Sequence, residues 1–170
     1  PSNQISADSY FIEEIERKRI NEAFATITKD ATHIKSNLAD NSNANILKEI
    51  TKARQLIEKI KIPIIENMAN EYIENGYNVV IFVNYNASIR ELAKRFKTES
   101  IVNGEESVAD RMANIEKFQN NETNIILCSN GAGGLGISLH DLHGKPRVSI
   151  ISPSFSSQEL VQSLGRIYRA

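Results

Sequence analysis

A chain of 170 residues with 41% apolar content is long enough to bury a core and short enough that one domain with an appendage is the default. The formal net charge of −1 excludes a bulk basic field, so any contact with nucleic acid has to come from local loops. The lone Cys128, set in an apolar run, excludes a disulfide framework and fits a reducing compartment. No apolar stretch approaches the roughly twenty residues of a bilayer span, and Pro1-Ser-Asn-Gln lacks a signal-peptide pattern, so a soluble intracellular protein is expected.

From about Asp8 to Ile65 the apolar residues repeat at helical spacing. Ile12, Ile15, Ile20, Phe24 and Ile27 form one run, and Ile46, Ile50, Ala53, Ile57 and Ile60 a second. The polar segment from Ala39 to Asn45 predicts a loop between them. Pro63 is placed to open a further helix that buries Ile64, Ile65, Met68 and Ile73 and ends at Asn75-Gly76, where glycine suits a left-handed cap. The mixed-sign run Glu13 to Arg19 reads as a solvated helical face.

Beyond Gly76, short apolar runs alternate with amphipathic helices, the sequence form of an α/β domain whose mostly parallel sheet is flanked by helices. Val79 to Val83 is the first strand. Ser88 and Glu91 form a plausible capping box for a helix carrying Ile89, Leu92 and Phe96. A short second strand ends near Val102, and Ser107 with Asp110 caps a helix bearing Met112, Ile115 and Phe118. Asn124 to Cys128 and Val148 to Ile151 are the third and fourth strands. A last helix is expected from Ser156 or Ser157 through Gln162, Gly165, Arg166 and Arg169.

Ser129-Asn-Gly131-Ala-Gly133-Gly134-Leu-Gly136 follows a strand and contains G-x-G-x-x-G, so a dinucleotide site is weighed first. The context argues against it. Gly144 and Pro146 interrupt the space for a long helix, and Ser152, Pro153 and Ser154 stand where a ribose-binding carboxylate is required. The remaining choice is a tight turn or a loop whose exposed amides let a phosphate backbone come close. His140 and His143 are too few for a closed metal site, so no metal is expected. Arg166 and Arg169, three apart on one predicted helical face beyond a strand's carboxyl end, suit a clamp on a phosphate chain.

In order along the chain, Val79 to Tyr85 resembles motif IV of the second RecA-like lobe of superfamily 2 helicases and translocases. Asn103-Gly104 with Arg111 and Phe118 looks like the segment after it, Ser129 to Ser138 resembles motif V, and Gln162 to Arg169 resembles motif VI. The match runs from about Lys59 to Ala170 and is most similar to the Swi2/Snf2-like branch. It implies a RecA-like three-layer domain over 59–170, preceded by a helical leader or insertion over 1–58 that packs on the lobe.

The resemblance also implies an ATP-driven motor whose cleft lies between two lobes. Arg166 and Arg169 would be arginine fingers, and Gln162, Gly134 and Gly136 would lie near the ATP. Ser129, Asn130 and Gly131, with Asn84 and Tyr85, would meet the nucleic-acid backbone largely without regard to sequence. DNA is favoured over RNA as the partner.

Two departures from the family pattern bear on the site. Gly136 stands where many members carry an acidic residue near the ribose, and Gly131 replaces a basic residue frequent in the Swi2/Snf2 pattern. The sequence has no G-x-x-x-x-G-K-[ST] and no acidic Walker B cluster, so the first lobe, which would hold ATP and Mg2+, is expected elsewhere in a longer protein. This piece alone is then expected to be inactive, cut after motif VI. A non-catalytic RecA-like module that binds nucleic acid or protein is the alternative. Richness in Ile, Asn and Lys suggests an AT-rich genome and a viral protein in a host cell, in nucleus or cytoplasm.

Overall fold

The computed structural model describes residues 13–34, 41–131, 139–141 and 143–153. They form eight elements: α1 (Glu14–Ile34), α2 (Asn41–Glu74), β1 (Asn78–Val83), α3 (Asn86–Phe96), β2 (Ile101–Val102), α4 (Val108–Gln119), β3 (Ile125–Ser129) and β4 (Arg147–Ile151). The chain divides into two compact units, Pro1–Ile60 and Lys61–Ala170, with the boundary inside α2.

In the first unit, α1 opens with Glu14 and Glu16 in its first turn, where carboxylates complement the helix dipole. The expected loop from Ala39 to Asn45 is corrected in part, because Asn41 to Asn45 already belong to α2. Pro63 does not open a helix either; it lies inside α2. An interior proline forfeits one backbone hydrogen bond and costs about 3 kcal/mol. The helix nevertheless continues through Ile62, Ile65 and Ala69, all at most 5% exposed, so apolar burial outweighs local propensity.

The second unit is built on a four-stranded sheet in the order β2-β3-β1-β4. Every described pairing is parallel: Val79 to Val83 lie opposite Ile125 to Ser129, Asn78 to Phe82 opposite Arg147 to Ile151, and Ile101-Val102 opposite Leu127-Cys128. Alternation within a strand sends successive side chains to opposite faces. Val79, Ile81, Val83, Ile125, Leu127 and Ile150 therefore join Ile62, Ile65 and Ala69 of α2 and Ile89 and Leu92 of α3 in one core layer. Val80, Phe82, Ile126 and Cys128 point the other way, onto Ile115 and Phe118 of α4, with Val102 and Leu139. The result is the expected α/β arrangement of a parallel sheet between helices, and it explains why β1 is apolar from Val79 to Val83 and β3 from Ile125 to Cys128.

The start of α3 follows this packing and not a capping residue. The Ser88–Glu91 box is corrected: α3 begins at Asn86, its N-cap is Tyr85 with no side-chain cap, and Ser88 is buried. The Tyr85 carbonyl instead accepts from the N–H groups of Ser88 and Ile89 at 3.0 and 3.2 Å. Glu91 bonds Arg95 Nε at 3.0 Å, and Arg95 Nη1 reaches Glu66 Oε2 at 2.6 Å. Where α4 starts, the sequence expectation holds, since the Ser107 hydroxyl accepts from the Asp110 N–H at 3.1 Å. Gly76, at φ +87, takes the expected left-handed turn after α2.

The amino edge of the sheet is locked by Arg147. Its side chain is 4% exposed. Nη1 donates to the Phe118 carbonyl at 3.1 Å, and Nη2 to the Gln119 carbonyl at 3.3 Å and to Asn121 Oδ1 at 3.0 Å. The guanidinium also sits 4.1 Å from the centroid of the Phe118 ring. A cation thus meets the carbonyl end of α4, where the helix dipole is negative.

Candidate functional site

The opposite, carboxyl edge is where an open parallel sheet leaves room for ligands. The chain exits β1 at Asn84-Tyr85, β3 at Asn130-Gly131 and β4 at Ser152-Pro153. The register that aligns Val83 with Ser129 and Phe82 with Ile151 brings all three exits level. Asn130 Nδ2 donates to Asn84 Oδ1 at 2.7 Å and to the Ser152 carbonyl at 3.1 Å. Asn84 Nδ2 donates to the carbonyls of Ser152 and Pro153 at 3.4 and 3.3 Å. The Ser152 N–H continues the β1–β4 ladder by donating to the Phe82 carbonyl at 2.9 Å.

Of the residues expected to contact nucleic acid, five are therefore gathered at one edge. Ser129 and Asn130 are buried, at 8% and 4% exposure, and Asn84 and Tyr85 are partly exposed. Gly131 is exposed, and a Cβ added there would meet nothing within 4 Å. Among the described residues, nothing stands in the way of a side chain at this position. Gly134, Gly136, Gln162, Arg166 and Arg169 lie outside the described residues.

The β2 exit adds Asn103, which is 2% exposed. Its Oδ1 accepts from the N–H groups of Glu105 and Glu106 at 3.0 and 3.1 Å, holding the turn into α4. Arg111 Nη1 donates to the Asn103 carbonyl at 3.4 Å. The exposed Arg90–Glu105 pair at 2.8 Å closes the outer side of this turn. Such an exposed pair contributes little to stability. Among the described residues no group of His, Cys, Asp and Glu side chains could hold a metal ion; His143 Nε2 faces Asn120 Oδ1 at 3.4 Å.

Sequence reasoning did not find the part played by Ser152 and Pro153. They act through backbone carbonyls, which every residue has, so no residue-type signal marks them.

Residues 51–170 match the family described as helicase conserved C-terminal domain. The chain belongs to that family. This helicase C-terminal domain is 35% identical over 176 aligned residues to a protein of Acanthamoeba polyphaga mimivirus that is provisionally named an ATP-dependent RNA helicase. The alignment covers 100% of the chain and 31% of the relative, so the chain spans about a third of that protein. Among solved structures, the Hef helicase domain of Pyrococcus furiosus aligns over 84% of the chain and 32% of its own, at 14% identity and a TM-score of 0.46.

The name of the viral relative lends no support to the expected preference for DNA over RNA. No helix among the described residues is long and apolar enough to cross a membrane.

Proposed function

We propose that this helicase C-terminal domain is the second lobe of a nucleic-acid-dependent ATPase, a helicase or translocase of Swi2/Snf2-like type. The observation that carries the proposal is the convergence at the carboxyl edge. Two segments far apart in sequence, Asn84-Tyr85 and Ser129 to Gly131, are joined there by a 2.7 Å hydrogen bond beside the exposed Gly131. In this reading the backbone amides of Asn130 and Gly131 and the Ser129 hydroxyl face nucleic-acid phosphates, with Asn84 and Tyr85 along the same strand. ATP is the substrate, held with Mg2+ mainly by a first RecA-like lobe. Gln162, Gly134 and Gly136 lie near it, and Arg166 and Arg169 reach its phosphates as arginine fingers.

The deciding experiment is steady-state ATP hydrolysis by the full-length protein without nucleic acid, with single-stranded RNA and with duplex DNA. Turnover stimulated by either polymer supports the motor, and the better polymer names its track. Turnover indifferent to both, or absent, favours a non-catalytic binding module.

Gly131 supplies an independent check. Because a side chain fits there without displacing anything described, Gly131→Lys should fold normally and add a phosphate contact. Binding should tighten several-fold at low salt, and the slope of log affinity against log salt should steepen by about one. An unchanged salt slope in a fluorescence-anisotropy titration would remove Gly131 from the interface.

A further inference from the structure

An asparagine that is 4% exposed and has its side-chain amide on two neighbouring strand exits is poorly placed to meet a phosphate with that side chain. Its chemistry suits another role. A carboxamide carries two N–H donors and an acceptor on one rigid plane and has no charge to desolvate, so its NH2 group can tie together two separate acceptors in a buried setting. At the carboxyl edge Asn130 does this for β3, donating to a side-chain acceptor on the β1 exit and a main-chain acceptor on the β4 exit. Asn84 then repeats the pattern from β1 to both carbonyls of the β4 exit.

We infer that Asn130 is a positioning residue: with Asn84 it fastens the exits of β1, β3 and β4 into one rigid edge, so that the segments leaving the sheet there cannot shift separately. This rests on the proposed function for its consequence. The β1 and β3 exits are assigned to nucleic acid, and the β4 exit leads along the chain to Arg166 and Arg169. An event at the nucleic-acid strand is then felt at the arginines because the amide pair makes the three exits move together. The side chain acts through Asn84 and the Ser152 carbonyl, and the backbone amide of Asn130 keeps its own place facing the phosphate.

Asn130→Ala removes both links from β3. Asn84→Asp keeps an acceptor for Asn130 and loses both donations to the β4 exit, so it isolates the β1–β4 part of the edge. In the full-length protein, the turnover number at saturating nucleic acid should fall about tenfold in Asn130→Ala and by a smaller factor in Asn84→Asp. The nucleic-acid concentration giving half-maximal stimulation should stay within about threefold of wild type in Asn130→Ala, whose side chain is buried; Asn84→Asp sets a negative charge beside the proposed strand, so it is read by turnover and exchange alone. Amide hydrogen exchange supplies the second readout: the Ser152 N–H should exchange at least about tenfold faster in both variants, while amides in the middle of β1 keep their protection.

If half-maximal stimulation of Asn130→Ala worsens in proportion to turnover, Asn130 binds nucleic acid directly and the positioning role is overturned. Unchanged turnover together with unchanged exchange at Ser152 also overturns it. If Asn130→Ala loses protection throughout β1, it has unfolded the domain, and Asn84→Asp alone decides by the same two readouts. If wild type shows no stimulated turnover, the proposed function has failed, and exchange at Ser152 settles the fastening separately: faster exchange in the variants supports it and unchanged exchange refutes it.

Discussion

Alanine at Arg169 is expected to lower ATP turnover in the full-length protein roughly a thousandfold or more, the scale associated with an arginine finger. In the proposed cleft the guanidinium meets charge that builds up on the phosphoryl oxygens only as the bond to the leaving group breaks. An interaction realised in the transition state and absent from the ground state lowers kcat and leaves nucleotide affinity largely intact. Arg169→Lys retains the charge and loses the planar fork, so it should recover only part of the rate. The comparison calls for ATP hydrolysis with and without nucleic acid, alongside a direct nucleotide-binding titration. A variant that binds nucleotide far more weakly would reassign Arg169 to ground-state binding. One that hydrolyses ATP at the wild-type rate would end the finger assignment.

The second large effect is expected on stability, at the other edge of the sheet. Arg147→Met should destabilise the domain by about 3 kcal/mol, in the range measured when one partner of a buried polar cluster is removed. The methionine fills much of the volume but leaves the Phe118 and Gln119 carbonyls and Asn121 Oδ1 without the guanidinium. Asp141, 3.9 Å from Arg147 Nη2, loses its cation as well. Urea unfolding followed by circular dichroism should show the midpoint falling by about 1 to 2 M, given a slope of a few kcal/mol per molar for a domain of this size. A midpoint within a few tenths of a molar of wild type would show that the network is neutral.

Acid titration examines the same corner. Burial pushes the Asp141 carboxyl upward, but the N–H groups of His143 and Lys145, the charge of Arg147 and the N–H of Gly144 together bring it below its ordinary value. A carboxylate whose folded pKa is depressed adds stability that is present above its unfolded pKa and is lost as pH falls through the folded one. The Asp141 contribution should therefore be constant near neutrality and disappear below about pH 4. Asp141→Asn should flatten the acid limb of the stability curve. An acid limb identical to wild type would place the titrating group elsewhere.

Much of the fold was legible in the residues. Val79 to Val83, and Ile125 to Cys128, could be read as buried parallel strands because both faces of the sheet are covered, so no polar alternation interrupts them. Ser107 could be read as a cap because its hydroxyl acts within its own turn. Pro63 and Ser88 misled for the same reason. Each is a strong local signal overridden by distant apolar partners, Pro63 by the burial of Ile62 and Ile65 and Ser88 by that of Ile89 and Leu92.

The site divides along the same line. The order of motifs, the missing G-x-x-x-x-G-K-[ST], the glycine loop and the two arginines are properties of residue type and spacing, so the sequence by itself determined the family resemblance and the named candidates. Only the tertiary structure decided that Asn130 turns its amide inward to Asn84 and Ser152, and that Arg147, with no motif of its own, closes the far edge. Both depend on strand register, which sets residues far apart in the chain within hydrogen-bond reach. Register arises from the summed packing of two apolar layers against three helices, a quantity carried by no single residue.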